Sequence, residues 1–250
     1  MNWTRRESGL IVPNRHFEKP VLVRYHDRDR DRDRDGQVRI VVAPAGLSLR
    51  WSDDFNRADS NDIGGDWLDL QSAPPGLSIS GGAMIHSGSL NNGAASAAGD
   101  AIGAGVDTFK TEWTLNPVSW AADNFNIGHL DDVVDGAFNM EFQSADGIYL
   151  EPTGASSLRA MRLVSGATTQ LAVFSTGDLS GASHKYTLET AFDGGGNCVL
   201  TVLIDDVAPT LSSGSLTDAS PPTGLQTSAR PACTSRATSL TTFTLVSVYY

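Results

Sequence analysis

The sequence predicts an all-β sandwich, and three observations predict it. Its 250 residues hold 25 Gly but only 3 Lys and 6 Glu, beside 23 Asp, 26 Ser and 20 Thr, a composition that favours turns and strands over surface helices. From Leu47 onward, short apolar or alternating segments are separated by turn residues, as sandwiches require. One pair is a plain hairpin: Tyr186–Phe192 alternates, Asp193-Gly194-Gly195-Gly196-Asn197 turns the chain, and Cys198–Ile204 returns it. A chain that is 40% hydrophobic and 19% charged is too apolar for disorder. It also lacks the run of roughly 18 apolar residues that a spanning helix needs.

The N-terminal region, residues 1–46, reads as an extended arm. Val21–His26 and Gln37–Val42 are strand-like, and between them Asp27–Asp35 alternates Asp with Arg before Gly36. In an extended chain this alternation places every Asp on one face and Arg28, Arg30, Arg32 and Arg34 on the other, and Asp35-Gly36 is a hairpin turn signal. Three readings fit this stretch: a solvated hairpin tip, an assembly arm whose Arg face meets an acidic neighbour, or a calcium loop. For the last, Asp31, Asp33, Asp35 and Gly36 occupy EF-hand positions, but Val42 stands where the bidentate Glu belongs. Pro44-Ala45-Gly46 marks the junction with the body, residues 47–250. Met1–Leu10 has no apolar core of a signal peptide, so we expect synthesis in the cytoplasm.

Within the body, the expected strands are Leu47–Trp51, Leu77–Ser80, Thr108–Leu115, Asn124–Leu130, Phe138–Phe142, Gly147–Glu151, Leu158–Val164, Gln170–Phe174, His184–Phe192, Cys198–Ile204 and Thr242–Tyr249. Arg230–Arg236 reads as a Pro-flanked loop that carries Cys233, while Cys198 falls in a core strand. The two cysteines either pair or remain as a buried thiol and a loop thiol. Charge divides the chain. Residues 51–250 carry 7 basic against 22 acidic side chains, a balance of −15. That surface excludes a nucleic-acid-binding patch and attraction to anionic membranes.

Asp53-Asp54-Phe55-Asn56-Arg57-Ala58-Asp59, followed by Ile63-Gly64-Gly65-Asp66-Trp67, resembles the opening of concanavalin A-like (LamG/laminarinase-like) jelly-roll modules of tailed-phage, actinobacteriophage-type virion proteins. The hairpin Tyr186–Ile204, which ends in Asp205-Asp206 where the family has Asp-Gly, and the closing Phe243–Tyr249 are similar to that fold as well. The resemblance spans 51–250. It implies a concanavalin A-like jelly-roll β-sandwich, preceded here by the hairpin-bearing arm. It further implies a non-enzymatic structural protein on the virion exterior: a minor tail, baseplate, fibre or capsid-decoration protein, exposed after lysis. The expected partners are other copies of the chain in a trimer, other virion proteins and host-surface glycans.

Catalysis finds little support in the residues. The Glu-x-Asp-x-x-Glu strand of laminarinase-type enzymes, which puts three carboxylates on one face, is missing, as is a Gly-x-Ser-x-Gly elbow. Two binding features stand out instead. Trp120, in the loop Asn116–Ala121, and Tyr149 are candidate sugar-stacking rings, with Trp120 expected to be exposed. Asp131, Asp132 and Asp135, in Asp131-Asp132-Val133-Val134-Asp135-Gly136, form either an exposed turn or a Ca²⁺ site, which makes Ca²⁺ the candidate cofactor. The alternative function is therefore a lectin-like carbohydrate-binding adhesin, and a less supported one is a glycan hydrolase.

Overall fold

The computed structural model describes residues 47–60, 63–64, 67–69, 77–86, 92–97, 106–120, 125–131, 146–154, 156–236 and 241–250. The arm with Arg28, Arg30, Arg32 and Arg34, and the expected strand Phe138–Phe142, lie outside them. The strands are β1 (Leu49–Asp53), β2 (Trp67–Asp69), β3 (Leu77–Ser80), β4 (Ala83–His86), β5 (Asn92–Ala97), β6 (Thr108–Asn116), β7 (Phe125–Leu130) and β8 (Gly147–Pro152). They continue as β9 (Ser157–Val164), β10 (Ala167–Ser175), β11 (His184–Phe192), β12 (Cys198–Ile204), β13 (Thr210–Gly214), β14 (Thr217–Asp218), β15 (Arg230–Arg236) and β16 (Thr242–Tyr249), with one helical turn, α1 (Leu225–Ser228). No helix among the described residues is long and apolar enough to cross a membrane.

These strands form two antiparallel sheets. Sheet A runs β14-β12-β11-β6-β16-β4-β3, with β1 also paired to β16; sheet B runs β13-β10-β9-β8-β7-β15-β5-β2. Leu49 pairs with Tyr249, and Tyr250 donates its N–H to the Ser48 carbonyl at 3.3 Å, so the two ends of the sandwich leave side by side. At the lateral edge of sheet B, β13 is interrupted: Val173 pairs with Ser213 and Phe174 with Leu211, which leaves Ser212 as an extra residue. A bulge of this kind blunts an exposed edge against pairing with a stray strand.

Period-two alternation decides which side chains meet between the sheets. On β6, Phe109, Thr111, Trp113 and Leu115 are buried, while Lys110, Glu112, Thr114 and Asn116 are half-buried. Opposite them Ile127, Ile148, Leu150, Leu158, Ala160 and Phe174 come from sheet B into the same core. Each such side chain contributes about 1.5–3 kcal/mol by leaving water. Aromatic rings thread that core: Trp113 lies 6.2 Å from both Trp67 and Phe243, and Trp67 lies 5.5 Å from Trp51 in an edge contact.

The centre of sheet B is buried on both faces. Leu130, Tyr149, Met161, Leu163 and Ala232 form a second cluster, and they alternate in sequence with the inward set. Two cross-strand pairs explain the glycines there: Gly128 lies opposite Tyr149, and Gly147 opposite Leu130. A Cβ on Gly128 would sit 2.5 Å from the Ile148 carbonyl oxygen and 2.5 Å from Tyr149 Cβ. Because one of those atoms is backbone, Gly128→Ala is expected to lower stability by about 3 kcal/mol, read as a drop in the urea midpoint. An unchanged midpoint would show that β7 and β8 separate at little cost.

Of the expected strands, Leu77–Ser80, His184–Phe192, Cys198–Ile204 and Thr242–Tyr249 have the boundaries read from sequence. Arg230–Arg236 corrects the reading. It is β15, held between β7 and β5, and Cys233 is buried there instead of lying in a loop. Pro231 is tolerated because the β5 pairing begins only at Ala232, so the residue lacking an N–H stands at the ladder's end. Cys198 and Cys233 are not joined in a disulfide, and burial pushes the Cys198 thiol up to about 12. Asp205-Asp206 makes the two-residue turn usually left to Asp-Gly. Both residues take positive φ, 51° and 65°, and Ile204 and Val207 exchange two 2.9 Å hydrogen bonds.

Candidate functional site

The residues of the opening motif build a corner. The Asp53 carboxylate accepts hydrogen bonds from the Phe55 N–H at 2.8 Å, from Arg57 Nη1 at 2.8 and 3.1 Å and from Trp67 Nε1 at 2.8 Å. Partial burial opposes ionisation of Asp53, but the bonds from Arg57, Phe55 and Trp67 outweigh it and hold its pKa below the ordinary value. Arg57 also donates through Nε and Nη2 to the Ile63 carbonyl at 3.0 and 2.8 Å. Phe55 sits at φ 54°, a conformation costly for an aromatic residue, and its fully buried ring lies 5.7 Å from that of Trp67. Asp59 accepts the Gly81 N–H at 2.8 Å and so fixes the β3–β4 turn. Every carboxylate of the motif that touches this corner is engaged in architecture.

The rings expected to stack on sugar are buried. Trp120 is 7% exposed, where an exposed ring was expected: its loop folds inward, so the indole stacks on Tyr186 at 6.5 Å and meets Phe125 edge-on at 5.7 Å. Tyr149 is 1% exposed within the second cluster of sheet B, because it covers Gly128 across the strand pair. Neither ring presents a face to a ligand.

The acidic loop is described only at Asp131, with Asp132 and Asp135 outside the described residues. Asp131 is buried and accepts the Asp146 N–H at 3.0 Å, while its own N–H bonds the Asp146 carbonyl at 2.8 Å. A Cβ on Gly224 would fall 2.0 Å from Asp131 Oδ2, so that oxygen is closely packed. Among the described residues, no three His, Cys, Asp or Glu side chains converge as metal ligands.

His129 is also internal. Its Nδ1 lies 3.1 Å from Thr190 Oγ1 and its Nε2 3.0 Å from Thr111 Oγ1, which ties β7 of sheet B to β11 and β6 of sheet A. Thr190 also donates to the Phe109 carbonyl at 3.4 Å. This leaves its oxygen to accept from Nδ1–H, and gives the Thr111 hydroxyl to Nε2. Full burial lowers the His129 pKa to about 3, so the ring is neutral.

The open arrangement lies on the outward face of sheet A. Register places Glu189, Lys110, Tyr249 and Leu49 in one row across β11, β6, β16 and β1, and Thr187, Glu112, Ser247 and Ser52 in the next. Lys185, Thr114 and Leu245 form a third. Thr187 and Ser247 are short and almost buried, so Glu112 stands in a shallow trough between longer side chains. The Tyr249 hydroxyl donates to Glu112 Oε2 at 2.9 Å and Lys110 Nζ to Oε1 at 3.0 Å. Lys110 Nζ also lies 3.9 Å from the centroid of the Tyr249 ring. Partial burial of Glu112 opposes ionisation, but the bonds from Lys110 and Tyr249 prevail and lower its pKa. The trough thus combines a fixed anionic acceptor with an aromatic ring, groups that recognise a polyhydroxylated ligand, over a floor formed by the buried Thr187 and Ser247. Sequence reasoning missed it because Glu112 and Tyr249 lie 137 residues apart. The outward alternation Lys110-Glu112-Thr114 was the only local signal.

No protein-family model matches the chain, and no curated protein matches it. Solved structures do. The Emp47p carbohydrate recognition domain aligns with a TM-score of 0.56 at 14% identity, over 81% of this chain and 96% of that one. An endo-1,3-beta-glucanase from Streptomyces sioyaensis aligns at 0.52 with 12% identity, over 84% and 99%. The fold is a concanavalin A-like jelly roll. The VIP36 exoplasmic/lumenal domain in its Ca²⁺/Man2-bound form aligns at 0.52 with 9% identity, over 80% and 88%. In this jelly roll, the residues of the opening motif are accounted for by the corner they build.

Proposed function

We propose that the jelly roll is a non-catalytic glycan-binding module whose binding surface is the outward face of sheet A. The trough around Glu112 carries this reading: an ionised acceptor fixed on rigid central strands beside the Tyr249 ring. The likeness in fold to a carbohydrate recognition domain and to a Man2-bound domain supports it. Fold alone does not assign function. Glu189 shares the face with Glu112, diagonally across Lys110, and a carboxylate pair is what glycoside hydrolysis uses. Glu112, held ionised, has the state of the nucleophile or base of such a pair, but both of its oxygens are already bonded, to Lys110 and to Tyr249. The virion placement implied by the opening motif rests on those residues, and here they serve the β1–β2 corner.

Binding to a mannose disaccharide and to soluble β-1,3-glucan, measured by titration calorimetry, tests the proposal. At least one of the two is expected to bind with Kd on the order of 10–1000 μM. Tyr249→Ala is expected to weaken that binding at least about tenfold, or about 1.4 kcal/mol, and Glu112→Gln to weaken it as well. Binding that neither substitution alters would place the site elsewhere, and release of reducing ends from the glucan would make the module an enzyme.

A further inference from the structure

We infer that Lys110 is an internal occupant of the glycan trough and sets its specificity, an inference that rests on the site proposed above. Its ammonium occupies a doubly favourable position. It lies 3.9 Å from the Tyr249 ring centroid, within the range at which a cation is held by an aromatic face, and 3.0 Å from Glu112 Oε1. The ring and the carboxylate are themselves linked through the Tyr249 hydroxyl. The three groups form a closed set in which Lys110 covers the surface a sugar would stack on and binds the oxygen a sugar hydroxyl would reach.

The surrounding charges explain why Lys110 and not another cation takes this place. Lys185, on the neighbouring strand, is drawn to Asp206 in an ion pair at 2.5 Å. Lys19, the remaining lysine of the chain, lies outside the described residues. Glu189 lies directly across from Lys110 in the β11–β6 register, on the side away from Tyr249, and offers the ammonium a second anion toward which it can swing. A neutral sugar that stacks on Tyr249 therefore displaces Lys110 toward Glu189 and takes over Glu112 Oε1. A cationic amino sugar gains nothing over the lysine already in position. The trough is thereby tuned to neutral glycans, at reduced affinity.

Lys110 is 23% exposed at its side chain, so truncating it leaves no core cavity. In calorimetric titrations of the full chain, Lys110→Ala is expected to bind the mannose disaccharide or β-1,3-glucan at least about fivefold more tightly than the wild type. Lys110→Arg, whose guanidinium stacks on an aromatic face and pairs with a carboxylate at least as well as an ammonium does, is expected to show none of that gain. A glucosamine disaccharide, carrying its own ammonium, is expected to bind Lys110→Ala and not the wild type. If the wild type binds glycan, Tyr249→Ala abolishes it and Lys110→Ala binds no better, the role of Lys110 is overturned and the site stands. If wild type, Lys110→Ala and Lys110→Arg all fail to bind every probe, both the site and the role of Lys110 are overturned.

Discussion

Asp53→Ala is expected to destabilise the jelly roll by about 3 kcal/mol, because one part-buried carboxylate serves three donors that would each lose a charged acceptor. The Asp53 side chain is 12% exposed and that of its partner Arg57 33%. Loss of the carboxylate leaves the Trp67 indole N–H, the Phe55 N–H and one edge of the Arg57 guanidinium without their acceptor. Phe55 also loses the bond that holds it in the left-handed region, so the cost of that backbone conformation is no longer offset. Asp54 supplies the contrast. Its exposed carboxylate only accepts the Asn56 N–H at 3.0 Å, so Asp54→Ala is expected to change stability by less than about 1 kcal/mol. Urea unfolding followed by tryptophan fluorescence separates the two, since Trp51 and Trp67 pack at this corner. Equal effects from both substitutions would mean that the corner is not held by Asp53.

The second large effect is a dependence on pH centred on His129. An unfolded histidine titrates near 6.5, whereas the buried ring titrates at about 3. A proton is therefore bound more readily by the unfolded chain. The stability contributed by the neutral ring is complete above pH 6.5 and is lost as pH falls from there toward 3. The slope rises to about 1.4 kcal/mol per pH unit only below pH 6.5, so roughly 2 kcal/mol should disappear between pH 6.5 and 4.5. His129→Gln offers a donor and an acceptor to Thr190 and Thr111 but does not titrate in this range. Whatever it loses at pH 7, its midpoint should fall less between pH 6.5 and 4.5 than that of the wild type by this amount. Parallel curves for the two proteins would show that carboxylates, not His129, govern acid sensitivity.

What the sequence disclosed, and what it concealed, follows from the range of the interactions involved. Strands β6 and β11 were legible because their large inward side chains alternate with polar outward ones, and β12 because an apolar run returns from the Asp193–Asn197 turn, both purely local signals. The sandwich was legible also through the likeness of the opening motif, Asp53 to Trp67, but the corner those residues build was not. β15 was not. Ala232, Thr234 and Ser235 lack a hydrophobic rhythm, and the strand exists because β7 and β5, more than a hundred residues earlier, supply ladders on both sides. Trp120 was misjudged for a similar reason. A loop tryptophan reads as exposed until Tyr186 and Phe125 are known to await it. The trough was hidden altogether, since its carboxylate and its ring come from strands whose adjacency no spacing in the chain announces.

The pairing of β1 with β16 has a mechanical consequence. Because Leu49 lies against Tyr249 where both strands leave the sandwich, tension applied between residues 47 and 250 meets that single pair first and would unzip the ribbon one pair at a time, instead of shearing all its bonds at once. The load path is short and peripheral. A pull strong enough to peel β1 from its neighbour would draw Trp51 away from Trp67 and load the strand end that carries Tyr249, while the β11–β6 pair, one strand further in, would be stretched last.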